Sequence, residues 1–210
     1  MQLTNDWYYF VSAIDKKTCN KIKRLSNKKF EDAGVDRKKD TTAEERITGK
    51  KPDMGLDKKA RESKICWTNE QWVYDLIWPY MMTANAKAGW NFDITYAESS
   101  QITKYMPGGF YTWHTDGGSD SLSGHKFDNN DNLDGTVRKL SMTVLLNDTY
   151  DGGDFRFASY SKGKHSVDTP PIDKVGTVIV FPSFKEHKVD PVTKGIRYSL
   201  VTWFVGPPFK

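Results

Sequence analysis

Residues 175–204 read VGTVIVFPSFKEHKVDPVTKGIRYSLVTWF, and two β-strands frame this stretch. Val175 to Phe181 is a short apolar run closed by Pro182, as a core strand ending in a turn is. From about 196 to 204 a second run alternates in period two, so Arg197, Ser199, Val201 and Trp203 share one face. Between them, His187 follows the turn closely enough to point back between the strands. A guanidinium on a buried face is costly without an anion, so Arg197 calls for a carboxylate partner. Its planar fork grips a carboxylate through two hydrogen bonds, and Ser199 adds a hydroxyl beside it.

Working outward, the same texture extends back to Ile94. Short spans near 99–106, 110–116, 138–146, 153–158, 175–181 and 196–204 are separated by Gly, Asn, Asp and Pro, the pattern of a sandwich or barrel. His114 and Asp116 close the run from Phe110 to Asp116, and i, i+2 spacing in a strand projects both from one face. Two histidines and one carboxylate on one face of an octahedral metal leave three positions open, as in non-haem Fe(II) oxygenases. Gln101, Thr103 and Tyr105 share a polar parity opposite Ile102, Lys104 and Met106, a face suited to lining a pocket. Tyr111 and Trp113 alternate away from His114, a placement that suits packing at least as well as contact with substrate. Trp203 reads as an ordinary core aromatic in preference to a wall beside the metal ligands. Gly152-Gly153 read as a turn without chemistry, and His125 and His165 as loop imidazoles.

The amino-terminal part is different. Trp7 to Ile14 reads as a strand, and Asp15 caps a helix reaching about Phe30. A second helix, from Glu70 to about Ala88, carries Trp72, Leu76, Tyr80 and Ala84 at i, i+4 spacing, with a kink expected at Pro79. Between the helices, 33–62 is rich in charge, Gly and Pro, and reads as a long loop, with a short strand at Lys64 to Trp67 after it. Gly117 to Gly135 reads as an exposed polar loop.

The 210 residues carry 31 Lys and Arg against 27 Asp and Glu, a net charge of +4. That surplus is too mild for a nucleic-acid footprint, and three of the four charges fall between Asp36 and Lys64. No apolar run approaches the roughly 18 residues of a membrane helix, and no secretory leader opens the chain, so a cytoplasmic protein is expected. Cys19 and Cys66 lack metal or disulfide-framework spacing and read as buried thiols. No nucleophile-elbow, phosphate-loop or dinucleotide-binding string is present.

The blocks KYMPGGFYTWHTD (104–116), RKLSMTVLLND (138–148), YDGGDFRF (150–157) and 175–204 together resemble the 2-oxoglutarate and Fe(II)-dependent dioxygenases, in particular the prolyl 4-hydroxylase-like branch with its PKHD-type members. The resemblance implies an α+β, mainly β chain. Supporting elements over 1–92 would precede a double-stranded β-helix, or jelly roll, over 93–206, all one dioxygenase domain of residues 1–210. It further implies Fe(II) on His114, Asp116 and His187, with 2-oxoglutarate chelating the iron and Arg197 holding its far carboxylate with help from Ser199 or Tyr105. Dioxygen would complete the set, and ascorbate is a usual addition in the family. The implied reaction hydroxylates a C–H bond, foremost of a prolyl residue in a peptide or protein, and releases succinate and carbon dioxide.

The segment 36–62 corresponds to a lid that closes over peptide in relatives. Leu145-Leu146-Asn147 stands where many relatives carry a Tyr before Leu-Asn, so one usual contact to 2-oxoglutarate is either missing or supplied by Tyr105. Three other readings compete: the same chemistry on a free amino acid, metabolite or nucleic-acid base, a silent jelly-roll binding module, and a cupin-like metalloprotein that uses no 2-oxoglutarate. Membrane and nucleic-acid partners are not expected, and the sequence does not speak to oligomeric state.

Overall fold

The computed structural model describes residues 5–27, 29–34, 58–117, 130–161 and 164–210. The lid expected at 36–62 therefore lies outside the described residues except for 58–62, and the polar loop expected at 117–135 except for 117 and 130–135. His125 also lies outside them.

The first strand, β1 (Tyr8–Phe10), is shorter than expected because Ser12 turns the chain at φ 47° and donates its N–H to Thr177 Oγ1. Helix α1 (Lys16–Leu25) starts where Asp15 predicted: the Asp15 carboxylate accepts from the Thr18 N–H at 2.9 Å and hydroxyl at 2.7 Å. It stops well before Phe30, since the Ser26 hydroxyl turns back onto the Lys23 carbonyl at 2.7 Å and competes with the helical ladder.

Helix α2 (Gln71–Lys87) runs on through Pro79, which stands exposed, because one missing N–H donor is outweighed by the apolar face the helix buries. That face is Val73, Ile77, Met81 and Ala84, each fully buried, rather than the neighbouring stripe of Trp72, Leu76 and Tyr80, which packs at its side. Both stripes are apolar at helical spacing, so spacing alone did not choose between them.

Behind α2 lies an antiparallel sheet whose order runs β1, β12 (Val178–Pro182), β8 (Val137–Leu145), β15 (Arg197–Gly206), β6 (Ser100–Tyr105), β4 (Lys64–Thr68), β2 (Glu31–Asp32), with the short β5 (Tyr96–Ala97) also paired to β15. Facing it is a second antiparallel sheet, ordered β11 (Lys164–Asp168), β10 (Phe155–Ser161), β13 (His187–Val189), β7 (Phe110–His114), β3 (Arg61–Glu62). A short ribbon pairs β9 (Tyr150–Gly152) with β14 (Val192–Gly195). His165 is thus in a strand, β11, and not in a loop.

Alternation along the central strands divides the apolar residues between two cores. Leu140, Met142, Val144, Val178, Val180, Leu200 and Phe204 point outward to the helices. Tyr105, Ile179 and Phe181 point inward, where they meet Phe155, Phe157 and Val189 of the facing sheet. Each such aliphatic or aromatic side chain contributes about 1.5–3 kcal/mol by leaving water. The two facing sheets form the double-stranded β-helix expected from the sequence. Cys19 and Cys66 are buried free thiols. Among the described residues, no helix is long and apolar enough to cross a membrane.

Candidate metal centre and anion pocket

His114 ends β7 and His187 opens β13, and the two are direct partners across the strand pair. Partners in an antiparallel ladder project to the same side, and the imidazole centroids lie 4.2 Å apart. Asp116 follows β7 by two residues. Its Oδ1 lies 3.7 Å from His114 Nε2 and its Oδ2 3.5 Å from His187 Nε2. The three ligand atoms all lie within 4.8 Å of one another, close enough to converge on one metal ion.

The tautomers suit that use. His114 Nδ1 donates to the Thr112 carbonyl at 2.8 Å and His187 Nδ1 to the Lys185 carbonyl at 2.9 Å, which leaves both Nε2 lone pairs facing the Asp116 carboxylate. Burial, then the neighbouring His187, push the His114 imidazole down to about 3, against the pull of Asp116. Burial would raise the Asp116 carboxyl, but His187, His114, Arg138 and the Ser141 hydroxyl hold it below the ordinary carboxylate value. At neutral pH His114 is thus a neutral imidazole and Asp116 a carboxylate, the states in which they can hold a divalent metal.

A β-bulge corrects the expected place of Tyr111. Tyr111 pairs with Val189 while His114 pairs with His187, so three steps of β7 oppose two of β13. The extra residue turns Tyr111 onto the face of His114, where the rings stack at 3.5 Å and 17°. Arg61 covers the other side of the phenol ring at 4.6 Å. Trp113 lies instead beneath Lys188, whose Nζ is 5.0 Å from its ring.

Arg197 opens β15 opposite Tyr105 on the inner face, and only 1% of it is exposed. Its Nη1 donates to Ser199 Oγ at 3.2 Å, its Nε has no partner, and no carboxylate among the described residues forms an ion pair with it. The guanidinium stands 5.5 Å from the Tyr105 ring centroid. Leu145, buried opposite Ser199, offers no donor where many relatives carry a Tyr. A buried cation that is missing an anion fits a carboxylate ligand, and the donor set of the triad fits a divalent iron.

Strand register continues the inner face from Arg197 toward the triad through Ser199 and Thr103, then Val201, Gln101 and Thr143, then Trp203 and Ser141. The polar parity read from the sequence is kept: Gln101 Nε2 donates to Thr103 Oγ1 at 2.7 Å. Phe181, which pairs with Ser141, brings this last row to 4.7 Å from the His187 ring. Trp203 lies 6.1 Å from Trp67, tilted at 45° to it, Trp67 being 44% exposed, and carries Arg138 over its face at 4.1 Å. Arg138 is gripped by both oxygens of Glu98, at 2.6 and 2.5 Å, and donates to the Asp116 carbonyl at 3.1 Å. Sequence reasoning missed Tyr111, Arg138 and Gly153. Only the Gly-Gly pair gave a signal, since paired glycines mark places where another group approaches the backbone.

Residues 100–205 match the family described as the 2OG-Fe(II) oxygenase superfamily. A PKHD-type hydroxylase of Synechococcus sp. is 34% identical over 104 residues, which are 49% of this chain and 40% of that protein. The chain therefore matches less than half the length of such curated relatives. Among solved structures, a Pseudomonas putida prolyl-4-hydroxylase superposes with a TM-score of 0.59 at 18% identity, covering 96% of this chain and 92% of its own. A prolyl hydroxylase from Trichoplax adhaerens, in complex with a hypoxia inducible factor peptide fragment, superposes with a TM-score of 0.66 at 16% identity, covering 96% and 84%. Likeness at these identities establishes the fold.

Proposed function

The chain belongs to the 2OG-Fe(II) oxygenase superfamily, and we propose that it hydroxylates a C–H bond of a prolyl residue within a peptide or protein, its 210 residues acting as one dioxygenase domain. His114, Asp116 and His187 hold Fe(II) in this reading. Arg197, with Ser199 and Tyr105, takes the far carboxylate of 2-oxoglutarate. Bound together with dioxygen, these two cofactors supply the oxidising equivalent and yield succinate and carbon dioxide. The chain's own task is orientation and exclusion of water.

The observation that carries this reading is the pairing, on the inner faces of one jelly roll, of a three-ligand cluster with a buried arginine that has no carboxylate partner among the described residues. A cupin-like protein without 2-oxoglutarate, or a silent module, gives no reason to bury Arg197 in that state. For a peptidyl substrate the support is the aromatic wall: Trp67 is 44% exposed beside Trp203, an apolar and cationic ledge that suits a proline ring in an extended segment better than a small polar metabolite. The prolyl hydroxylase neighbours, one with peptide bound, point the same way. Ascorbate is expected to sustain turnover by re-reducing iron oxidised without substrate.

The test is an anaerobic titration of metal-free protein with Fe(II) and 2-oxoglutarate, followed by a proline-centred peptide library screened for succinate release and for a 16 Da gain. A visible charge-transfer band that needs both components and vanishes in His187→Ala, together with a peptide that gains 16 Da at proline, is the expected result. A band without any modified prolyl peptide would turn the search to amino acids and metabolites, and no band in folded, metal-loaded protein would refute the cofactor reading.

A further inference from the structure

Resting on the metal-site reading above, we propose that the turn at residues 182–185, between β12 and β13, is a positioning element for the metal centre, with Ser183 and Ser141 as its working side chains. Asp116 lies beyond the end of β7, where no strand ladder fixes it. Its backbone N–H and that of Gly117 both donate to the carbonyl of Ser183, at 2.9 and 2.8 Å. Two residues further along the same turn, the Lys185 carbonyl accepts from His187 Nδ1. One four-residue turn thus sets the places of two of the three ligands, and it is closed by the Lys185 N–H donating to the Pro182 carbonyl at 2.8 Å.

The turn is itself anchored. The Ser183 N–H donates to the Lys139 carbonyl at 3.0 Å, and Lys185 Nζ reaches Asp6 at 2.5 Å and Ser159 Oγ at 3.2 Å. On its outer side, Phe184 packs against Phe92 and Phe209.

The two serine hydroxyls have a specific use. Ser183 Oγ and Ser141 Oγ lie 2.9 Å apart, and both residues are wholly buried. A buried hydroxyl pair satisfies its polar groups only while the two stay together, so this bond ties the turn at Ser183 to β8. With the turn it holds in place the Ser183 carbonyl that accepts from the Asp116 and Gly117 N–H groups. Oriented ligands of this kind typically lose about 10–100-fold in metal affinity when the outer partner is removed.

The experiment uses the full chain, freed of metal, and Co(II) alone as the probe, read by its visible d–d band and dissociation constant. Ser141→Ala and Ser183→Ala are each expected to weaken cobalt binding about tenfold or more and to change the shape of the band. Because both break the same bond, the double variant should bind no worse than either alone. Ser183→Thr, which keeps the hydroxyl, should retain the wild-type band. The melting midpoint of each metal-free variant separates loss of fold from loss of orientation. A Ser141→Ala protein that folds and binds cobalt with wild-type affinity and band overturns the positioning role and leaves the metal site standing. Wild-type protein whose cobalt spectrum ignores His187→Ala overturns the metal reading, and this inference with it.

Discussion

Gly153 rests on the stem of Arg197: a Cβ at Gly153 would stand 3.0 Å from Arg197 Cδ and 3.0 Å from a Val192 methyl carbon. Its φ of +68° is also one that costs an L side chain about 1–2 kcal/mol. The absence of a side chain here is what leaves room for the Arg197 stem. Gly153→Ala should therefore displace Arg197 and raise the half-saturating 2-oxoglutarate concentration about tenfold, while cobalt binding at the triad stays near wild type. Titrating each ligand separately checks this, and equal loss at both sites would show a general disturbance instead.

Arg197 itself separates stability from binding. A guanidinium buried to 1% exposure without a counter-ion among the described residues is a burden on the ligand-free fold. Arg197→Met fills the same space without that charge, so the ligand-free variant should melt at or above the wild-type temperature. Adding 2-oxoglutarate to manganese-loaded wild type at a hundred times its dissociation constant should stabilise it by about 2.7 kcal/mol, a rise of several degrees. The variant should gain nothing, and an equal rise in both would dismiss Arg197 as the carboxylate partner.

Much of the site was legible because its residues obey strand periodicity. Arg197, Ser199, Val201 and Trp203 share a face in β15, and Gln101, Thr103 and Tyr105 share the facing parity in β6, as alternation requires. His114, Asp116 and His187 converge, although Asp116 is placed by the Ser183 turn and not by strand alternation. What stayed hidden broke the period. The bulge that carries Tyr111 onto His114 has no glycine to mark it, and Ser183 acts mainly through its backbone carbonyl, which every residue owns. In α2, two apolar stripes one residue apart were equally good by spacing, and only the sheet behind them chose Val73, Ile77 and Met81.

The Tyr111–His114 stack invites its own test. The phenol ring stacks 3.5 Å from the imidazole and carries Arg61 over it at 4.6 Å, so it fixes the plane of the imidazole by flat contact. Tyr111→Leu keeps the apolar volume but loses the flat contact. Cobalt affinity should fall by about three- to tenfold with an altered d–d band, and Tyr111→Phe should restore both. Failure of Phe to restore them would assign the role to the hydroxyl rather than to the ring.

Away from the site, Cys19 gives a pH dependence with a definite sign. Its thiol is wholly buried on α1 within the outer core, and burial, helped by Asp15, pushes it up to about 11 from an ordinary 9.0. Between those values the folded protein keeps a proton that the unfolded chain has released. The unfolded state then binds fewer protons, so stability falls as pH rises through this window and levels off above it. The full contribution is present below about 9. Melting temperatures measured from pH 8 to 11 should therefore decline more steeply in the wild type than in Cys19→Ala, after the Cys19→Ala curve is offset for its lost packing. Parallel curves would mean that Cys19 titrates in the fold as it does in the open chain. A thiol reagent at pH 8 provides the second check: Cys19 should stay unmodified in native protein and react at once in guanidinium, because burial suppresses both access and the thiolate.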